Sequence, residues 1–554
     1  MIDGFTPWPE ADVAKYIESG VWTNETFADA TSRWASRWGD HTALVHRDRK
    51  LTFSSMHEEV EFVAAGLFEI GLRAEDRVVL QLPNSAEFVV AALAMFRIGV
   101  IPVFSLASHR DKEIDHLVRV SGAIGYICPV RYRGYDYAEL GERIRSRSDS
   151  LRHIILAGND TRSDSRLDLP RGDPKVLPNP AADAALPAFF LLSGGTTALP
   201  KLIARTHRDY IYQIRTAANV ASLSSLDVYL AALPVEFNFA WGCPGILGTF
   251  ERGGTVVIAD TPSPDECFDL IETYKVTITS VVPTVAVLWV DAQEWEKRAM
   301  RSLSRIQVGG ARLDPKLAVR IQEVLQTQLM QVFGMAEGLL SMTRLNDNFD
   351  VIVGTQGTPI SPYDEIVVVD SDGNPTARGV PGELLARGPY TLRGYFCAPE
   401  YNDHAFTSDG FLRTGDQAYI TSIGNLVISG RIKDVIIRGG EKINAAEIEE
   451  QLIACPGVTA AASVAVPDEL LGEKHYVFLV GDSPPGSIRE IRSWLIARGL
   501  AEFKIPDRME VVKALPLTSL GKVDKKALVV AALNPDSVRS WNISPQLQKD
   551  TDNA

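Results

Sequence analysis

The sequence is short of cysteine, of basic charge and of long apolar runs, and each shortage closes off a class of function. Only five cysteines (Cys128, Cys243, Cys267, Cys397 and Cys455) are scattered through 554 residues. No two share a C-x-x-C spacing, so neither a disulfide framework nor a metal-ligand cluster is expected, and reduced thiols point to a cytoplasmic protein. Lys and Arg number 56 against 70 Asp and Glu, a formal net charge of −14. A chain of that sign without a basic stripe repels phosphate backbones, so nucleic acid is not an expected partner. The longest apolar stretch, 88–104, is interrupted by Arg97 and closes with Gly99 and Pro102. It predicts a buried helix followed by a strand, and no membrane partner. The opening residues lack a basic segment ahead of an apolar one, so no signal peptide is expected.

What is present is an alternation of helix-period segments with short β-branched runs. Residues 77–82 predict a strand, 85–98 a helix and 100–104 the next strand. The pattern recurs at 255–258, 267–274 and 277–282, which argues for parallel sheets covered by helices. From about Gly357 the texture turns to shorter strands and tight turns, a small β-rich subdomain. A third texture, of alternating helices and strands, follows Gly430 and runs to Leu528. The polar residues 534–554 have little to bury and predict a disordered tail.

Four segments carry chemistry. Ser193-Gly194-Gly195-Thr196-Thr197-Ala198-Leu199-Pro200-Lys201 follows the apolar run 188–192. A buried strand entering such a loop offers N–H groups, hydroxyls and one ammonium to a polyphosphate, although the Walker spacing is absent. Alone, a Gly/Thr-rich loop is more often a plain turn. Val332-Phe333-Gly334 with Glu337 supplies a ring to lie on a base, a close backbone approach and an anion for Mg²⁺; by itself it reads as a core strand ending in a turn. Thr414-Gly415-Asp416, followed by Arg431-Ile432-Lys433-Asp434, offers a carboxylate to ribose hydroxyls. Gly521-Lys522 sets one ammonium on a hinged loop, where a solvated basic face is the plainer reading.

These segments, in this order, resemble the adenylate-forming superfamily: acyl-CoA synthetases, adenylation domains of non-ribosomal peptide synthetases and firefly-type luciferases. The closer resemblance is to stand-alone aryl-acid adenylating enzymes of siderophore pathways, which activate 2,3-dihydroxybenzoate or salicylate. It extends through phrases such as Gln81-Leu82-Pro83-Asn84, Ser108-His109-Arg110, Gly309-Gly310-Ala311 and Arg438-Gly439-Gly440-Glu441-Lys442. It implies an α/β fold: two parallel-sheet-and-helix subdomains and a small β-rich one over residues 1–432, then a mobile α+β lid over 433–533 hinged at Lys433. It implies attack of a carboxylate on the α-phosphate of Mg·ATP, giving an acyl-adenylate and pyrophosphate, with Lys522 catalytic and Glu337 holding Mg²⁺. Ser193, Gly194, Gly195, Thr196, Thr197 and Lys201 are then expected on the phosphates. Gly309, Gly310, Ala311, Val332, Phe333 and Gly334 are expected on adenine, and Asp416 and Arg431 on ribose. Arg438, Gly439 and Gly440 are expected to line the acceptor tunnel, and a carrier-protein phosphopantetheine thiol is the expected acceptor.

The resemblance also implies an aryl pocket formed by Phe237, Asn238, Phe239, Cys243, Gly309 and Leu340. Asn238 matches the residue that hydrogen-bonds the ortho hydroxyl of the acid. Cys243 stands where dihydroxybenzoate enzymes have Ser, and a thiol is a weak hydrogen-bond partner. Leu340 stands where a smaller Val is expected. Both favour salicylate, with an anthranilate-type acid open because Asn238 carries both a donor and an acceptor. Two positions depart from the pattern: Phe237 replaces a His, and Ala198 replaces the Gly that closes the phosphate loop. The apolar Phe237 leaves a small-molecule amine or hydroxyl open as acceptor; CoA is a separate alternative that a basic patch for its 3′-phosphate would favour, and none stands out. A binding protein that had lost catalysis is the rival from another class, and the retention of Lys522, Glu337 and Asp416 counts against it.

Overall fold

The computed structural model describes residues 2–157, 168–179, 183–193, 199–438, 441–468, 471–498, 500, 504–518 and 522–534. Its contacts divide the chain into two units, Met1–Ile366 with Leu385–Arg413 and Val367–Leu384 with Thr414–Ala554. The tail expected from 534 lies, past Asn534, outside the described residues.

The first unit is built on two large sheets. In the nine-stranded sheet, strands Gln328–Met335, Arg305–Gly309, Ile278–Val281, Val228–Ala231, Thr255–Ile258 and Thr42–His46 run parallel to their neighbours. Antiparallel strands Gly338–Met342 and Arg49–Thr52 flank them. In the six-stranded sheet, the parallel strands include Ile101–Phe104, Arg77–Leu80 and Gly125–Pro129, and the hairpin Pro187–Leu192 with Leu202–Thr206 forms one edge. The alternation in the sequence has this cause: each parallel neighbour needs a crossover, and the crossover is a helix.

Helix Ala86–Arg97 shows why the 88–104 stretch is apolar up to Arg97. Residues 86–96 are all buried. One continuous core joins them to Val78, Leu80 and Phe104 of the six-stranded sheet and to Leu44, Tyr229 and Val256 of the nine-stranded sheet. A helix with sheets on both sides has no polar face to keep.

Behind the site lies a buried charge. Arg205 ends the strand Leu202–Thr206, and its side chain is 1% exposed beside Asp209 at 0%. Asp209 caps helix His207–Val220 through the Thr206 N–H at 2.6 Å and receives Arg205 Nε at 2.9 Å. The guanidinium also donates to Gln213 Oε1 at 2.8 Å, to the Ala336 carbonyl at 3.1 Å and to the Tyr390 carbonyl at 3.2 Å. Every carbonyl and carboxylate around it is thereby satisfied.

In the second unit, strands Ala460–Asp468 and Gly472–Val480 pair antiparallel, and Arg508–Val511 adds in parallel. Helices Ala445–Ile453 and Ile488–Ala497 cover one face through Ile448, Leu452, Ile491 and Leu495. Helix Lys525–Leu533 covers the other with Leu528 and Ala531. The unit also holds the antiparallel register Asp416↔Arg431. The mixed α/β architecture with parallel sheets agrees with the sequence reading. Among the described residues, no helix is long and apolar enough to cross a membrane.

Replacing Arg205 with Met strands the Asp209 carboxylate in a fully buried site. The expected loss is about 3–5 kcal/mol, the usual cost of breaking a buried pair from one side. It is read as a fall in the unfolding midpoint, and the Arg205→Met, Asp209→Leu double variant recovers part of it.

Candidate active site

The chemistry-bearing residues of the first unit gather where parallel strands end, the position at which open α/β sheets bind ligands. Gly309 closes the strand Arg305–Gly309 in register with Val332. A Cβ added at Gly309 would stand 2.5 Å from the Val332 carbonyl oxygen and 3.3 Å from Phe239, so only glycine lets these backbones approach. Gly310 follows at φ +84° and is exposed, as is Ala311. On the neighbouring strand Phe333 is half-buried and Gly334 exposed. The expected adenine-binding backbone and ring are thus on adjacent strands.

Three residues of the expected aryl pocket, Cys243, Leu340 and Phe239, fall in or against one buried apolar cluster. Cys243, Val332 and Leu340 pack with Ala217, Met342, Ile360 and Tyr390, and Phe239 lies against them. Burial pushes the Cys243 thiol far up, so it stays neutral. Asn238 begins the short helix Asn238–Gly242 at the rim. Its Nδ2 donates to the Met335 carbonyl at 3.0 Å, and its Oδ1 accepts from the Tyr210 hydroxyl at 2.8 Å and from Gln213 Nε2 at 3.2 Å. Phe237, half-buried at the N-cap of that helix, is not in the cluster; Phe239 is.

Glu337 sits in the turn between strands Gln328–Met335 and Gly338–Met342. Its Oε1 accepts the Tyr395 hydroxyl at 3.0 Å, and its backbone carbonyl accepts the Leu392 N–H at 2.8 Å. Among the described residues no group of three or more His, Cys, Asp or Glu could hold a metal. A single carboxylate suits Mg²⁺ that takes its remaining ligands from substrate phosphates and water. Lys201 lies 3.8 Å from the Tyr401 ring centre, a cation–π contact. Its N–H donates to Ser193 Oγ at 3.0 Å while the Ser193 N–H donates to its carbonyl at 3.0 Å, joining the two ends of the segment expected on the phosphates. Gly194, Gly195, Thr196, Thr197 and Ala198 lie outside the described residues.

In the second unit, Asp416 is buried and its Oδ1 meets Arg431 Nε at 2.5 Å. Lys522 is half-buried, and its carbonyl accepts the Thr518 N–H at 2.7 Å. Lys433 belongs to the single turn Ile432–Asp434. Arg438 is committed to Asp507, with Nε 2.8 Å and Nη2 2.5 Å from its carboxylate oxygens. Gly439 and Gly440 lie outside the described residues. Sequence reasoning missed Tyr210, Gln213, Tyr395 and Tyr401, the side chains that hold Asn238, Glu337 and Lys201. Asp209 and Gln213, four residues apart, share one face of the helix His207–Val220, but that spacing by itself does not mark a clamp.

Comparison with known proteins follows the same order of segments. The family described as AMP-binding enzyme matches residues 31–396, and the AMP-binding enzyme C-terminal domain matches 447–522. A 2,3-dihydroxybenzoate-AMP ligase of Bacillus subtilis (strain 168) is 44% identical, the match covering 95% of this chain and 97% of that one. A salicyl-AMP ligase / salicyl-S-ArCP synthetase of Mycobacterium tuberculosis (strain ATCC 25618 / H37Rv) is 42% identical over 95% and 94%. The apo structure of MbtA from Mycobacterium smegmatis superposes with a TM-score of 0.74 at 41% identity, covering 95% of this chain and 98% of that chain.

Glu236, immediately before the aryl-pocket segment, carries a pH dependence. Burial pushes its carboxyl up to about 8, against weaker opposition from the N–H groups of Glu236 and Ala107. A carboxyl raised in the folded state contributes stability that is complete below its unfolded value of 4.5 and is lost as pH rises through about 8. Glu236→Gln is therefore expected to lose less unfolding temperature between pH 6 and pH 9 than the parent protein, with Asp364, raised to about 7 by burial, titrating in both. Parallel profiles would remove the assignment.

Proposed function

The chain belongs to the AMP-binding enzyme family, and from that membership we propose that it activates salicylate and passes the acyl group to a carrier-protein phosphopantetheine thiol. It is an adenylate-forming ligase of the aryl-acid type, using ATP with Mg²⁺ to convert the acid into an acyl-adenylate with release of pyrophosphate. A free carboxylate is a poor acyl electrophile, whereas AMP is a good leaving group, and this is what the expenditure of ATP achieves.

The observation that carries the choice of acid is the clustering of Cys243 and Leu340 with Val332 and Phe239 beside Asn238. A 3-hydroxyl meeting the Cys243 thiol loses a good partner, at about 1–3 kcal/mol, enough for tenfold discrimination. Leu340 fills space on the same side. In this reading Phe333 and the Gly309–Ala311 backbone take adenine, and Asp416 with Arg431 takes the ribose. Ser193, Thr196, Thr197 and Lys201 take the phosphates, and Lys522 supplies the ammonium for the charge that develops at the α-phosphate. Glu337 would hold Mg²⁺, which when bound neutralises phosphate charge. Lys433 serves as the hinge, and Arg438, Gly439 and Gly440 border the acceptor path. A small-molecule amine or hydroxyl, or CoA, is the second reading of the acceptor. The amine or hydroxyl is favoured by Phe237, whose apolar ring neither changes charge nor donates a hydrogen bond.

Acid-dependent ATP–pyrophosphate exchange tests the reading, with salicylate expected to exceed 2,3-dihydroxybenzoate, benzoate and a fatty acid. Exchange with none of the aryl acids would overturn it. Lys522→Ala is expected to lower adenylate formation by roughly 10²–10³ while nucleotide binding persists. Cys243→Ser is expected to raise the 2,3-dihydroxybenzoate-to-salicylate ratio by about tenfold, and an unchanged ratio would remove Cys243 from the pocket.

A further inference from the structure

The hydrogen bonds behind the pocket have a direction. Arg205 carries donors only, so the Gln213 amide must turn its Oε1 to Nη2, 2.8 Å away. That leaves Gln213 Nε2 as the donor, to the Gly242 carbonyl at 2.9 Å and to Asn238 Oδ1 at 3.2 Å. At the other end, the Met335 carbonyl accepts only, so it takes Asn238 Nδ2 at 3.0 Å. Turning the Asn238 amide over would set oxygen against the Met335 carbonyl and nitrogen against the Gln213 nitrogen. The Tyr210 hydroxyl completes the clamp on Oδ1 at 2.8 Å. Gly242 permits this packing, since a Cβ there would come within 2.4 Å of the Tyr210 hydroxyl oxygen. Both lone pairs of Asn238 Oδ1 are thus occupied from within the protein. One N–H of its half-exposed amide is left for a ligand.

We propose that Tyr210 and Gln213 are positioning residues that make Asn238 a donor only, so that the pocket takes an ortho oxygen and rejects an ortho amine. The proposal rests on the aryl-acid reading above and deepens it. A salicylate hydroxyl gives its proton to its own carboxylate and presents oxygen lone pairs to the Asn238 N–H. In anthranilate the nitrogen lone pair is delocalised into the ring, and the amine opposes one N–H with another. The acceptor that left anthranilate open in the sequence is already taken.

The test is ATP–pyrophosphate exchange with salicylate, anthranilate and benzoate, for the parent protein and for Tyr210→Phe and Gln213→Leu. For the parent, kcat/KM with salicylate is expected to exceed that with anthranilate by about tenfold or more. Anthranilate should do no better than benzoate, which has no ortho group. Removing one donor leaves Oδ1 a lone pair that can accept from an amine, so each variant is expected to raise the anthranilate-to-salicylate ratio about tenfold. Tyr210→Phe is expected to do so at a nearly unchanged unfolding temperature and Gln213→Leu at a lowered one, because the latter also takes an acceptor from Arg205. Anthranilate used as well as salicylate by the parent overturns the proposal while leaving the aryl-acid reading intact. An unchanged ratio in variants that still exchange with salicylate overturns the roles of Tyr210 and Gln213. If neither variant folds, the order of the three acids with the parent protein still decides. Exchange with no aryl acid overturns both readings.

Discussion

The guanidinium of Arg205 is the constraint on which the first unit's site depends. It is buried with its counter-ion, and leaving such a charge unmet costs more than the pair contributes when complete. The surroundings are therefore fixed by its needs: Asp209 must cap the following helix, Gln213 must turn its oxygen inward, and the Ala336 and Tyr390 carbonyls must stay within reach. Ala336 immediately precedes Glu337, and Gln213 contacts Asn238. One cation thereby ties the turn that bears a carboxylate to the amide at the rim of an apolar pocket.

The two large sheets serve the same end by different means. Their parallel strands deliver Gly309 and Val332 to one edge in register, and the missing Cβ of Gly309 lets that edge close on Phe239. The fully buried helix Ala86–Arg97 locks the sheets into one core, so the strand ends keep their spacing. Flat backbone and a ring come from the strands, while adaptable polar groups come from the turns and short helices after them.

Much of this was legible in the sequence. The interrupted apolar stretch gave the buried helix and the strand Ile101–Phe104, and the alternation of textures gave parallel sheets, because period and burial are local properties. Cys243, Leu340 and Phe239 were grouped through resemblance to relatives, and the structure brings them together in one cluster that also holds Val332, a residue expected on adenine. The partners of Asn238 were not legible. Tyr210 and Gln213 lie 28 and 25 residues before it in the chain, and nothing local marks a tyrosine or glutamine on an amphipathic helix as a clamp. Asn238 accordingly read as donor and acceptor alike, and only the long-range packing removes one of the two.

The one-way chain from Arg205 to Met335 separates two properties that are usually treated as one. In the proposed aryl pocket, volume is written by side chains such as Cys243 and Leu340. Its polarity is written a layer deeper, by residues whose partners are other protein atoms. A lineage could exchange one acid for another of the same outline by altering that deeper layer alone, leaving the walls of the cavity as they were. Sequence codes built from the lining residues would then assign both descendants the same substrate.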